Sequence, residues 1–407
     1  MNDPNGLIYY KGRYHLFFQH NPLGNVWGNM SWGHAVSEDL YSWEELPVAI
    51  SCTESSGIFS GSTVLDYQNT SGFGSIETPP LVAIYTEHQN DESNQSQCLA
   101  FSLDEGLTFT KYEGNPVVDL DLPNFRDPKV NWINGEWIMT VALPHEFKIS
   151  FFSSPNLKEW KHLSNFGPAA EIGGIWECPD LFQIDDKWVL IVSLNPGGFQ
   201  IGSGTQYFIG QWNGREFIAD DVKTRWLDYG RDNYAGVTFS NTPEGKRIFL
   251  GWMSNWEYAN KVPTEPWRSA MTLPRELSLQ GNTLVQKPIE HPAGFPELSF
   301  TTHGGSIYIH ENPKRYVEIG VRAGNLFVNS THAWNEMSAP LIQEVSVSEQ
   351  ELDIRVIVDR GSIEVFAAGG TISITNLIFV DTALTYVRAD EGINNLTMKQ
   401  LYLEQQD

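Results

Sequence analysis

The chain has 407 residues, more than the ~250–300 at which a single hydrophobic core stops growing, so one large domain with a smaller companion is expected. Hydrophobic residues make up 41% and charged residues 19%, the reverse of a disordered chain. Fifty acidic residues against 26 basic ones give a formal charge of −24. Such a surface repels phosphate backbones and anionic headgroups, which argues against nucleic-acid and membrane partners. No uncharged apolar run reaches the ~18 residues needed to span a bilayer.

Short runs rich in aromatic and β-branched residues recur along the chain: Tyr14–Phe18, Trp137–Val141 and Trp188–Val192. Gly, Asn, Asp and Pro punctuate them, and no long amphipathic helix interrupts them, so the fold is read as all-β. A turn signature, Ser37-Glu38-Asp39-Leu40-Tyr41-Ser42-Trp43, returns as Ser154-Pro155-Asn156-Leu157-Lys158-Glu159-Trp160. Looser copies end at Phe109 and Phe217. In each, Asp, Asn and Gly make the turn and the aromatic residue starts the outgoing strand. Repeats of this kind point to a β-propeller of four or five blades over residues 1–285.

A second repeat places an acid and a proline ahead of a strand, a turn and an aromatic residue. The copies run from Asp3-Pro4 to Tyr14, from Asp127-Pro128 to Trp137 and from Glu177-Cys178-Pro179 to Trp188. Equivalent positions on the innermost strands of a propeller are related by rotation about one channel. Asp3, Asp127 and Glu177 are therefore expected to converge at one of its ends. The Pro-rich stretch 286–296 reads as a linker. The alternating strands of 297–407, such as Ile354–Asp359 and Ser362–Phe366, read as a β-sandwich.

Like charges brought together raise at least one pKa, leaving a protonated acid beside an ionised carboxylate. Glycosidic bond cleavage needs that pair, although three carboxylates also suit a calcium ion. The 14 Trp add a hint of carbohydrate, since sugar C–H faces pack on indole, but most of them, Trp32 included, are expected to fill the packing between strands. Cys52, Cys98 and Cys178 are too few for a disulfide framework, and no Cys/His cluster has zinc spacing. Sequons at Asn29, Asn69, Asn94, Asn329 and Asn395 weakly favour secretion.

The residues around the acids sharpen the reading. Met1-Asn2-Asp3-Pro4-Asn5-Gly6, Phe125-Arg126-Asp127-Pro128 and Trp176-Glu177-Cys178-Pro179 resemble the three signature motifs of glycoside hydrolase family 32, the invertases, exo-inulinases and levanases. Phe17–Pro22, Trp27-Gly28, Phe59–Ser62, Pro266–Ala270 and Val358–Phe366 extend the resemblance over nearly the whole chain. It implies a five-bladed propeller followed by a β-sandwich. It also implies a retaining β-fructofuranosidase that takes terminal fructosyl units from sucrose, inulin and levan. No nucleotide loop, haem motif or zinc spacing is present, so no cofactor or metal is expected.

Carried over residue by residue, the resemblance makes Asp3 the nucleophile, Glu177 the acid/base and Asp127 the transition-state stabiliser. Asp3 would be ionised and Glu177 protonated, with Arg126 holding Asp127 ionised. Asn2, Gln19, Ser60 and Arg126 would bind fructosyl hydroxyls, Trp27 and Trp267 would wall the pocket, and Asp232 and Tyr234 would approach its rim. Cys178 reads as a buried small apolar residue. Met1 stands only two residues before Asp3, so the nucleophile is well held only if something packs over Asn2-Asp3. A fructosyltransferase using the same site and a non-catalytic fructan-binding propeller are the alternatives, and an inverting arabinanase-like or xylosidase-like enzyme is a further one. The resemblance leaves room for a homodimer. An extracellular or periplasmic protein is expected, with its signal peptide not in this chain.

Overall fold

In the computed structural model, which describes residues 1–333, 341–348 and 351–403, the chain up to Pro288 folds into consecutive antiparallel sheets. The first takes Pro4–Tyr10, Arg13–His20, Ser31–Ser37 and Glu44–Ile50 in sequence order. The next three follow the same plan, beginning with Ser56–Leu65, Arg126–Ile133 and Ile175–Ile184. The last begins with Tyr234–Thr238 and ends with Thr283–Pro288. Among the described residues the helical segments are short 3-10 turns.

The opening strands of these sheets contact one another in a closed cycle, the last returning to the first. A backbone bridge between Ile8 and Ser240 completes the closure. Sheets arranged radially about a ring of their own first strands make a propeller. The recurrent turn signature occupies one place throughout, the turn between a sheet's third and fourth strands. Asp39 Oδ1 accepts from the backbone of Tyr41 and Ser42 at 2.8 and 2.6 Å. Asn156 Oδ1 accepts likewise from Lys158 and Glu159 at 3.0 and 2.9 Å. Trp43 and Trp160 then donate their indole N–H to the carbonyls of Leu40 and Leu157. The signature is thus a side chain replacing backbone partners in a turn.

The final propeller strand runs to Pro288, past the boundary expected at 285. Gln286 is buried and donates to the Leu227 carbonyl at 2.6 Å, which makes it part of the sheet and not of a linker. The sandwich starts with Glu297–Thr302. Its two sheets enclose an aliphatic core that includes Leu298, Val317, Val356 and Val365.

The two halves are joined by a buried ion triad. Arg275 is fully buried, with Nη1 3.1 Å from Asp228 Oδ2 and Nη2 2.7 Å from Glu364 Oε2. Burial works against the Asp228 carboxylate, yet Arg275 and the Thr375 hydroxyl hold its pKa below the usual value. Removing the cation strands two buried carboxylates. Arg275→Ala is therefore expected to lower the unfolding free energy by about 3–5 kcal/mol, read by urea denaturation. A loss of less than about 1 kcal/mol would assign the junction to packing instead.

Candidate active site

Four of the five ring strands carry a left-handed residue and a register shift near one end of the channel: Gly6 (φ 55°), Asp127 (φ 67°), Cys178 (φ 47°) and Ala235 (φ 52°). Gly6 suits its place doubly, because a Cβ there would lie 2.5 Å from Thr63 Oγ1. The other three are non-glycine residues in a costly conformation, which is where bulges re-aim side chains at a site. They open a pocket of about 580 Å³ lined by Asp3, Asp127 and Glu177 together with Asn2, Gln19, Trp27, Ser60, Arg126 and Tyr234.

The expected convergence is present. Asp3 Oδ1 accepts from Asn2 Nδ2 at 3.0 Å, and its Oδ2 accepts from Ser60 Oγ at 2.6 Å. Asp127 Oδ2 accepts from the Cys178 backbone N–H at 3.0 Å. The Cys178 thiol lies between the two, 3.6 Å from Asp3 Oδ2 and 3.5 Å from Asp127 Oδ2. The thiol thus does more than fill apolar space: burial and the surrounding carboxylates push its pKa well up, so it stays protonated as a weak donor to them. Asn2 and Asp3 also extend the first sheet's ladder. The Asn2 N–H donates to the Gln19 carbonyl and the Gln19 N–H to the Asp3 carbonyl, both at 3.0 Å. The Met1 carbonyl accepts from Trp252 Nε1 and Ser269 Oγ, so the segment ahead of Asp3 is packed.

Arg126 departs from expectation. Its Nε and Nη2 lie 3.0 and 2.9 Å from Glu177 Oε1, while Nη1 reaches Gln95 and Asn124. The guanidinium therefore grips Glu177 and not its sequence neighbour, and Asp127 is not held ionised. Burial and the Glu177 charge outweigh the pull of Arg126, and the Asp127 pKa rises to about 7. Burial also raises Asp3, against the hydrogen bonds from Ser60 and Asn2. Tyr234 lies deeper than a rim position: it is buried, and its hydroxyl donates to Glu177 Oε2.

Asp232 does not face the pocket. It is fully buried, accepting from the Tyr258 hydroxyl and, at 2.8 Å, from the Leu377 backbone N–H of the sandwich. Strand geometry begins only at Tyr234, and the segment before it is bound to the sandwich. Trp267 is 60% exposed and lines an adjoining cavity between propeller and sandwich. Trp27, 49% exposed, stands at the pocket edge against Phe59. Trp32 is core, donating to the Phe59 carbonyl at 2.9 Å.

Sequence reasoning missed Gln95, Asn124 and His88, which also line the pocket. His88 stacks on Phe59 with centroids 4.4 Å apart. Phe59 stands inside a recognised motif and was within reach. Asn124 directly precedes the Phe125-Arg126-Asp127-Pro128 motif and was also within reach, whereas Gln95 and His88 lie in stretches without a signal for a sugar pocket.

Two family descriptions match this arrangement. The glycosyl hydrolases family 32 N-terminal domain matches residues 1–288, and the family 32 C-terminal description matches residues 302–400. The chain belongs to glycosyl hydrolase family 32. It is 40% identical over 442 residues to the levanase of Bacillus subtilis (strain 168), spanning 94% of this chain and 65% of the levanase. It is 36% identical over 481 residues to the extracellular exo-inulinase of Aspergillus niger (strain ATCC MYA-4892 / CBS 513.88 / FGSC A1513), spanning 95% of this chain and 89% of that protein. The crystal structure of exo-inulinase from Aspergillus awamori superposes with a TM-score of 0.90 and 34% identity, covering 97% of this chain and 94% of the other.

Asp127 stays neutral in the folded chain to about pH 7 but ionises near 3.8 when unfolded. Its contribution to stability is full below the unfolded value and is lost as pH rises through the folded one. Asp127→Asn removes that loss. The variant is expected to melt with the wild type at about pH 4 and several degrees above it at about pH 8. An equal or lower melting temperature at the higher pH would show that the pocket stabilises an ionised Asp127.

Proposed function

We propose that the protein is a retaining, exo-acting β-fructofuranosidase that releases terminal non-reducing β-D-fructofuranosyl units from sucrose and from fructans such as inulin and levan. The observation that carries this reading is the gathering of three carboxylates from three ring strands around one thiol and one guanidinium. The levanase and exo-inulinase relatives support it. The closed cycle of first strands supports reading the consecutive sheets as the five blades of one propeller, with the sandwich beginning at Glu297. The extracellular relative supports secretion.

In the first step Asp3 attacks the anomeric C2 of the fructosyl unit. Asn2 and Ser60 hold its oxygens and set the line of attack. Glu177 gives its proton to the leaving oxygen, and a covalent fructosyl-enzyme forms. Water then enters, loses a proton to Glu177 and releases fructose with retained configuration. A nucleophile and acid/base ~5–5.5 Å apart leave no room for water at the first attack. Asp127 accepts from ring hydroxyls. Those bonds favour its ionised form, and the proton that the buried cluster retains becomes available to Glu177. Gln19 and Arg126 offer donors to the hydroxyls, and Trp27 offers a flat apolar wall.

A closed floor to the pocket supports exo action. Further along the ring strands from the carboxylates, Lys129 and Asp180 are both buried, with Nζ 3.7 Å from Oδ2, which supports reading the floor as closed. A chain end fits such a pocket and an internal unit does not. Sugar release from sucrose, inulin and levan, measured side by side, is expected to yield free fructose from all three. Asp3→Asn is expected to lower that rate by at least about 10³-fold. Comparable residual hydrolysis in the variant would remove Asp3 from the chemistry. Transfer to sucrose in excess of free fructose would make the protein a transferase.

A further inference from the structure

The ring strands have a second end. Following them away from the carboxylates, past the Lys129–Asp180 pair, leads to a separate cavity of about 460 Å³ on the opposite face of the propeller. Its size falls within the ~300–1,000 Å³ of small-molecule sites. We infer that this opposite mouth is a second, non-catalytic site for a neutral sugar chain, and that it holds the fructan whose ends the carboxylate pocket trims. The identity of that polymer rests on the function proposed above.

Aromatic planes carry the first part of the argument. Trp132 is 41% exposed, and its ring is braced edge-on by Trp137, with centroids 4.7 Å apart at 65°. Trp137 is itself fixed, since its Nε1 donates to Thr70 Oγ1 at 2.9 Å. Tyr67, 60% exposed, and the partly buried Trp188 line the same cavity. Rigid rings presented to solvent are costly on a bare surface, and they match the C–H faces of sugar rings.

The polar lining carries the second part. Asn131 uses its Nδ2 on the Leu181 carbonyl at 3.0 Å, which fixes the carboxamide. Gln68, Asn134 and Asn241 add carboxamides, groups that both donate to and accept from hydroxyls. The charged lining balances, one carboxylate, Asp66, against one guanidinium, Arg247. Asp66 is turned to its own loop, accepting from the backbone of Thr70 and Ser71 at 2.8 Å each. Arg247 donates Nε to the Gln183 carbonyl at 2.9 Å and lies close enough to Asp180 to feel its charge. One such cation does not make an anion site in a chain of charge −24. Aromatic faces among carboxamides without net charge recognise a neutral polyhydroxylated chain. A polymer held there keeps its ends near the enzyme and raises their effective concentration at the pocket. Sucrose is too short to gain from this.

The test is native gel electrophoresis through levan or inulin, using Asp3→Asn protein so that the polymer is not consumed and free fructose to fill the carboxylate pocket. Trp132→Ala in that background is expected to weaken polymer retardation about tenfold. In the otherwise wild-type chain the same change is expected to leave sucrose turnover and melting temperature unaltered. Tyr67→Ala, at an exposed ring, is expected to weaken retardation too, and it carries the test should Trp132→Ala fail to fold. Undiminished retardation in the folded variants, or retardation abolished by fructose alone, would overturn the inference. Absence of fructose release by the wild type would instead refute the hydrolase reading, because retardation is measured on protein that need not turn over.

Discussion

Everything at the pocket answers to one electrostatic constraint: three carboxylates share a buried space with a single guanidinium. Full ionisation would leave excess negative charge in a poorly solvated site, so the cluster holds on to protons, and Asp127 shows it with a pKa raised to about 7. Among the described residues that line the pocket no second cation is added. The protein supplies neutral donors instead: Ser60 and Asn2 to Asp3, the Cys178 N–H to Asp127 and the Tyr234 hydroxyl to Glu177. Neutral donors orient the oxygens without cancelling the charge of the cluster.

The backbone meets the same constraint. Side chains of a regular strand alternate between faces, and a smooth ring of strands would aim fewer groups into one mouth. Bulges at Asp127, Cys178 and Ala235 break the alternation at the pocket end. The strain is held by what surrounds it. The sandwich contributes here: Asp228 accepts from the Thr375 N–H at 2.9 Å and Asp232 from the Leu377 N–H at 2.8 Å. The segment 228–232 is thereby fixed just before Tyr234, whose hydroxyl meets Glu177. Among the described residues the second domain contributes nothing to the lining of the carboxylate pocket, yet it fixes the segment that leads into Tyr234.

Much of this was legible in the sequence because propellers write geometry as repetition. The position of Asp3, Asp127 and Glu177 ahead of equivalent strands was enough to predict their meeting, and the Ser-x-Asp and Ser-x-Asn turns marked the same corner of successive sheets. What was not legible depends on rotation of side chains about fixed positions. Arg126 was expected to serve Asp127, its neighbour, but adjacent residues of a strand point apart, and the guanidinium crosses to Glu177 on the next strand. Asp232 stands close to Tyr234 in sequence, yet it faces the sandwich because strand geometry has not begun there. Gln95 and Asn124 line the pocket and accept from Arg126, contacts that no local pattern encodes.

The Lys129–Asp180 pair ties these observations together. A channel open from end to end would let water through the carboxylate cluster and would admit a polymer by its middle. Filling it with an apolar plug would leave the strand carbonyls around it unsatisfied. The buried lysine resolves both problems, donating to the Thr238 carbonyl while facing the Asp180 carboxylate, whose Oδ2 also accepts from the Thr238 hydroxyl at 2.8 Å. Burial lowers the lysine pKa, and the Asp180 charge works against that shift. The pair therefore satisfies a strand carbonyl and balances its own two charges in a space closed to solvent.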